Sequence, residues 1–266
     1  MYSIESYMES FPINSERIDV SKLGITLLTS LERFTKLLHL DLSGNELTSL
    51  PSLPKSLLTL NCYSNQLTAL CNLPPFLKSL DCSANQLTSL SNLPSTLETL
   101  GCYCNNLVSL QIPKSLKLFY CWENQLTSLP DLPTSLIRLF CSENRLTSLP
   151  HLPNSLATLW VENNYLTSLP NFSTSLISLN CAKNPIGITT LQEYRNYDRF
   201  KTLYYTCKFG PKIRKFVATK RNKKFKQEFL EIIYSPNYSF YKQFLDPNTI
   251  NWINKGKKEI FINPKS

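Results

Sequence analysis

The chain has 266 residues and a formal net charge of +9, with 46 leucines, 24 asparagines, 5 alanines, 6 glycines and 2 histidines. So few glycines leave no GxGxxG or GxxxxGK(S/T) loop to cradle a phosphate, and His39 and His151 alone cannot build a histidine-based zinc site or a Ser-His-Asp centre. No apolar run approaches the roughly 20 residues that a membrane-spanning helix needs. The opening stretch MYSIESYMES carries Glu5 and Glu9 and lacks the basic and apolar regions of a secretory signal. An intracellular protein without cofactor or metal is expected.

After a leading stretch (1–36), asparagines recur at Asn45, Asn65, Asn85, Asn105, Asn124, Asn144, Asn164 and Asn184, at spacings of 20, 20, 20, 19, 20, 20 and 20. Each closes the same phrase, from LLHLDLSGN (37–45) and LLTLNCYSN (57–65) to LISLNCAKN (176–184). The whole unit reads LxxLxCxxNxLTSLPxLPxS. The short unit loses its residue in QIPKS (111–115), in a connecting segment where length changes are best tolerated. A fixed period of this length means that each unit is one small motif whose apolar face is covered only by its neighbours. Alternation around the cysteine predicts a short strand with one buried face. Stacked units lay these strands parallel, about 4.8 Å apart. Leucines at the first, fourth, eleventh and fourteenth positions are expected inside. The asparagine amide is expected to satisfy turn backbone that would otherwise be buried without partners. The LPxLP stretch cannot be helix or central strand, because proline fixes φ and lacks a donor; an extended, polyproline-like convex side is predicted.

This pattern resembles the leucine-rich repeat family over residues 15–186 and, more narrowly, the short LPx subtype of bacterial type III secreted effectors. It is most similar to leucine-rich repeat proteins of giant amoebal DNA viruses, where Cys often replaces Leu at the sixth position. The resemblance implies a leucine-rich repeat solenoid with a parallel β-sheet on the concave face and an extended convex face. It also implies a protein partner, a host or a viral one, and a place in the host cytoplasm. Ahead of the eight units (37–186), Ile18, Val20, Ile25 and Leu28 occupy the expected slots of a degenerate unit in which Leu23 stands for the asparagine, so 1–36 is expected to cap the solenoid.

Nine cysteines raise the question of disulfides or metal. Six of them, Cys62, Cys82, Cys102, Cys121, Cys141 and Cys181, hold the sixth slot, which Leu42 and Val161 hold in the other two units. The slot therefore asks for a small hydrophobe, and free Cys behaves as one. Cys71, Cys104 and Cys207 are scattered, and an all-reduced set fits an intracellular compartment.

Positions three, five, seven and eight of each unit are expected on the concave surface. The early units place small and polar residues there. The middle units place Tyr103, Tyr120, Trp122, Phe140 and Trp160, with Tyr63 farther off and Arg138, Glu123, Glu143 and Glu162 at the border. Aromatics with a charged rim are what a protein-binding hot spot contains. The alternative is that the rings only stack across neighbouring strands and stabilise the sheet.

Beyond residue 186 the composition changes. Leucine falls to 4 in residues 187–266, and the net charge is +11 there against −2 before it. Thr189 or Thr190 can cap a helix through LQEYRNYDRF, Pro211 suits the first turn of a second, and Asp246-Pro247 opens a third, so a mainly helical C-terminal cap is expected. Within it, 212–226 carries Lys212, Arg214, Lys215, Lys220, Arg221, Lys223, Lys224 and Lys226 and no acidic residue. Such a run is a solvated helix face or the electrostatic footprint of nucleic acid or another acidic partner. Some effectors of the LPx subtype are ubiquitin ligases with a large C-terminal catalytic domain. Only 80 residues follow the repeats here, and Cys207 in TCKFG has no acidic neighbour, so that activity is not carried over. A non-catalytic, monomeric binding scaffold is the expectation.

Overall fold

A computed structural model describes residues 4–186. Nine three-residue strands form one parallel sheet in sequence order. They are β1 (Arg17–Asp19), β2 (His39–Asp41), β3 (Thr59–Asn61), β4 (Ser79–Asp81), β5 (Thr99–Gly101), β6 (Leu118–Tyr120), β7 (Arg138–Phe140), β8 (Thr158–Trp160) and β9 (Ser178–Asn180). The repeat sets the register: Leu40 lies opposite Leu60, Leu60 opposite Leu80, and Leu159 opposite Leu179. The short unit keeps it as well, with Leu100 opposite Phe119. The missing residue is absorbed in the connection, where the Leu116 N–H still donates to the Pro113 carbonyl (3.3 Å) as Leu97 does to Pro94 (3.1 Å). β1 belongs to the degenerate unit, and its Ile18, Val20, Ile25 and Leu28 are buried as expected. A short helix, α1 (Ile4–Glu9), precedes it; Met8 in α1 is buried and its carbonyl accepts from Arg33 Nη2 (2.7 Å).

First, fourth, sixth and eleventh positions line the interior, with Leu60, Cys62 and Leu67 fully buried in one unit. The fourteenth position departs from expectation. Leu90, Leu110 and Leu129 are buried there, but Leu50, Leu70, Leu149 and Leu169 are only half-buried. Deeper filling on that side comes from the following LP pair, where Leu53, Leu152, Pro54 and Pro153 are buried.

The asparagines act as the repeat predicts. Asn105 Nδ2 donates to the carbonyls of Cys82 (3.1 Å), Cys102 (3.2 Å) and Tyr103 (3.1 Å), and its Oδ1 accepts from the Leu87 N–H (2.9 Å). One side chain thus satisfies backbone of two consecutive units. The serine closing the repeat has a like role on the other side: Ser56, Ser115, Ser135 and Ser155 donate to the carbonyls of Leu37, Leu97, Leu116 and Leu136 (2.7, 2.7, 2.8 and 2.7 Å).

Every eighth position turns through positive φ. Gly44 (68°) can do so freely, yet Ser64, Ala84, Cys104, Glu123, Glu143, Asn163 and Lys183 do the same at 50–55°. A non-glycine residue meets its own carbonyl oxygen there, at a cost of about 1–2 kcal/mol. The asparagine that follows, bonded to both units, holds the turn in place.

Candidate concave-face interaction site

The burial of each strand shows why an open face exists. Within β3, Leu60 points into the core while Thr59 and Asn61 stand half-exposed on the opposite side, and the same alternation runs from β2 to β9 save at Gly101, which is buried. Parallel strands in register stack equal positions above one another. Fifth-position residues therefore form one row and seventh-position residues another.

The rows bring the predicted aromatics together. Tyr103 stacks on Trp122 (ring centroids 3.8 Å apart, planes at 10°), and Tyr120 stacks on Phe140 (5.1 Å, 28°). Trp122 meets Tyr120 and Phe140 edge-on (6.1 and 6.4 Å), and Phe140 meets Trp160 edge-on (4.9 Å). Tyr63 joins through Tyr103 at 6.1 Å, although their strands β3 and β5 flank β4. Two strand spacings are about 9.6 Å, so the rings lean inward over the small Ser83, which is fully buried. The ladder is thus longer than the sequence suggested.

Mutual stacking lowers its exposure. Tyr103, Tyr120, Trp122 and Phe140 are half-buried, whereas Tyr63 (38%) and Trp160 (44%) remain open at its ends. The cross-strand stacking that formed the alternative reading is present. It leaves the outer ring faces of a six-ring ladder on the surface.

The border residues divide into engaged and free groups. Glu162 is engaged: its Oε1 pairs with Lys183 (3.1 Å) and its Oε2 accepts from Asn180 Nδ2 (2.9 Å), and these bonds hold its carboxyl below the usual range. Glu123, exposed, accepts from the Cys104 thiol (2.9 Å). Glu143 and Arg138 are exposed. The basic residues Lys212, Arg214, Lys215, Lys220, Arg221, Lys223, Lys224 and Lys226 lie outside the described residues.

The cysteines are packing groups. Cys62, Cys82, Cys102, Cys121, Cys141 and Cys181 are all fully buried. Burial pushes the Cys62, Cys82, Cys102, Cys121 and Cys141 thiols far up, so the thiolate is suppressed. Cys104 is half-buried and free; burial, then its bond to Glu123, pushes it up to about 12. Cys71 is exposed. Native-state alkylation at pH 8, mapped by peptide mass, should label Cys71 quickly, Cys104 slowly and the six row cysteines only after unfolding. Fast native labelling of Cys102 or Cys121 would contradict this packing. Among the described residues no group of His, Cys, Asp and Glu is arranged to hold a metal, and no helix is long and apolar enough to cross a membrane.

Among solved structures, this solenoid is similar to leucine-rich repeats of bacterial proteins. YopM from Yersinia enterocolitica is 39% identical over 56% of this chain and 34% of its own, with a TM-score of 0.55. YopM from Yersinia pestis, described as a leucine-rich effector protein, is 37% identical over 64% of this chain and 49% of its own, with a TM-score of 0.62. The leucine-rich repeat domain of a Shigella effector is 31% identical over 62% of this chain and 74% of its own, with a TM-score of 0.52. The chain spans about a third and about half of the two YopM chains. No family profile and no curated protein matches it.

Proposed function

Because the chain belongs to the leucine-rich repeat family, we propose that it is a non-catalytic scaffold that binds another protein on its concave face. One observation carries this reading: six aromatic side chains form a continuous ladder on the open face of the sheet, with Tyr63 and Trp160 exposed at its ends. Aromatic surface of this kind is rich in binding energy and is a liability when left bare. The contact surface comprises Tyr63, Tyr103, Tyr120, Trp122, Phe140 and Trp160, rimmed by Arg138, Glu123, Glu143 and Glu162. The similarity to effector repeats supports a role inside a host cell, with a host protein as the target. The test is affinity capture from amoebal and mammalian lysates by the wild-type chain and by Trp122→Ala/Trp160→Ala. The double variant should keep its melting transition and lose the captured protein. Retained capture would refute the concave-face reading, and a collapsed melting transition would favour the purely structural role of the rings.

A second reading rests on the run of eight cations in 212–226. It assigns this segment to an acidic partner or nucleic acid. Binding of duplex DNA should then be measurable near 50 mM salt and fall steeply as salt rises; no affinity at low salt would reject it.

A further inference from the structure

The concave face carries more negative than positive charge. Its third, fifth, seventh and eighth positions hold Asp19, Asp41, Asp81, Glu123, Glu143 and Glu162 against Arg17, Lys22, Arg138 and Lys183. Lys183 pairs with Glu162. Among the described residues, Asp41, Asp81, Glu123 and Glu143 have no cation within ion-pair distance.

Asp81 differs from its counterparts in how it is capped. Asp41 Oδ1 accepts from the Ser43 N–H (2.8 Å), and its Oδ2 accepts from Asn61 Nδ2 on the next strand (3.0 Å). Glu162 Oε2 likewise accepts from Asn180, also on the next strand. Asp81 Oδ1 accepts from the Ser83 N–H (3.0 Å), but its next-strand neighbour is Gly101, which has no side-chain donor. Gly101 is not required by the backbone, since its φ is not positive. What it provides is room for its neighbours: Asp81 Oδ1 and Ser83 Oγ fill the space that a Cβ would take, at 2.9 and 3.1 Å from it. That Ser83 Oγ is buried beside the Tyr103 hydroxyl. Tyr103, whose hydroxyl is raised by burial first and by the Asp81 charge second, stands beside this carboxylate between Tyr63 and Trp122 in the aromatic ladder.

We propose that this junction is an anchor for an arginine side chain, and that the concave-face partner docks through an arginine-bearing segment. This rests on the concave-face reading above and specifies the chemistry of its partner. The guanidinium donates to Asp81 Oδ2, the role that asparagine has at Asp41 and Glu162, and its plane lies on the Tyr103 and Tyr63 rings. A flat, permanently charged fork suits a carboxylate beside aromatic faces, where a lysine ammonium offers neither the plane nor the second donor. Glu123 and Glu143 extend the negative potential along the ladder and favour further basic residues in the same segment.

The test is selection of a random nonapeptide phage library on the immobilised full-length protein. Selected peptides should be enriched in arginine. Replacing that arginine with citrulline, and separately Asp81→Asn, should each weaken binding about tenfold or more, and raised salt should weaken it further. Asparagine keeps the acceptor for the Ser83 N–H, so the melting temperature of Asp81→Asn should stay near wild type. As a second variant, Gly101→Asn crowds Asp81 Oδ1 and brings a donor beside the carboxylate, and should also lose the peptides while leaving the charge in place. Selection of arginine-free peptides, selection of nothing, or binding indifferent to both citrulline and Asp81→Asn overturns the anchor. If peptides indifferent to Asp81→Asn are still lost by Trp122→Ala/Trp160→Ala, the anchor fails while the concave-face reading stands.

Discussion

Asn105→Ala should lower the unfolding free energy by about 3–6 kcal/mol. Four backbone groups, the carbonyls of Cys82, Cys102 and Tyr103 and the N–H of Leu87, are satisfied by this one side chain. Alanine offers none of them a partner. Three of the bonds lie in the buried interior, where an orphaned donor or acceptor costs about 1–3 kcal/mol. Two of the four groups, those of Cys82 and Leu87, belong to the preceding unit, so the loss strikes the contact between units on which a solenoid depends. Asn106 is the matched control. It follows directly in sequence but is exposed, and Asn106→Ala should change stability by no more than about 0.5 kcal/mol. Urea denaturation of the three proteins measures both numbers. A loss under about 1 kcal/mol for Asn105→Ala would mean that the amide is not the seam between units.

Phe119→Ala should cost about 3–5 kcal/mol, the range for removing a buried aromatic ring. Phe119 is fully buried and takes the fourth position of its unit, which Leu100 holds on the preceding strand and Leu139 on the following one. Phe119→Leu installs the residue used by both neighbours and should cost less than about 1.5 kcal/mol, because the remaining volume change is small. The difference between the two variants reads out the cavity directly. Equal losses would show that the slot requires an aromatic ring.

The period made much of this molecule readable. An asparagine every 20 residues, with leucines and cysteines at fixed offsets, sets strand, register and interior together, because in-register stacking leaves no other way to cover the apolar positions. The aromatic row followed from the same arithmetic, since Tyr120, Phe140 and Trp160 share one offset. The closing serine was readable in principle: Ser56, Ser115, Ser135 and Ser155 stand at one position, but a hydroxyl after proline reads as an ordinary turn until the neighbouring carbonyl is seen. Other features depend on contacts with no sequence period. The left-handed turn at the eighth position carries residues as unlike as Ala84, Glu123 and Lys183, because the following asparagine imposes it. The leaning of Tyr63 and Tyr103 over Ser83 depends on a small residue between two large ones. The uncapped carboxylate of Asp81 depends on what its neighbouring strand lacks. The fourteenth position looked as apolar as the others, yet it lies at the side of the coil, where the LP pair competes to fill the space.

On the proposed reading, the aromatic ladder, and no other apolar surface, holds the partner. Phe76 (61%) and Ile177 (79%) are exposed apolar side chains outside the ladder and serve as its control. Capture of the same lysate protein should be compared between Trp122→Ala/Trp160→Ala and Phe76→Ala/Ile177→Ala, after both have been shown to melt as the wild type does. The first pair should lose capture by about tenfold or more, the effect of removing two large aromatic contacts, and the second should capture as the wild type does. Equal capture by both pairs, or loss confined to Phe76→Ala/Ile177→Ala, would contradict it.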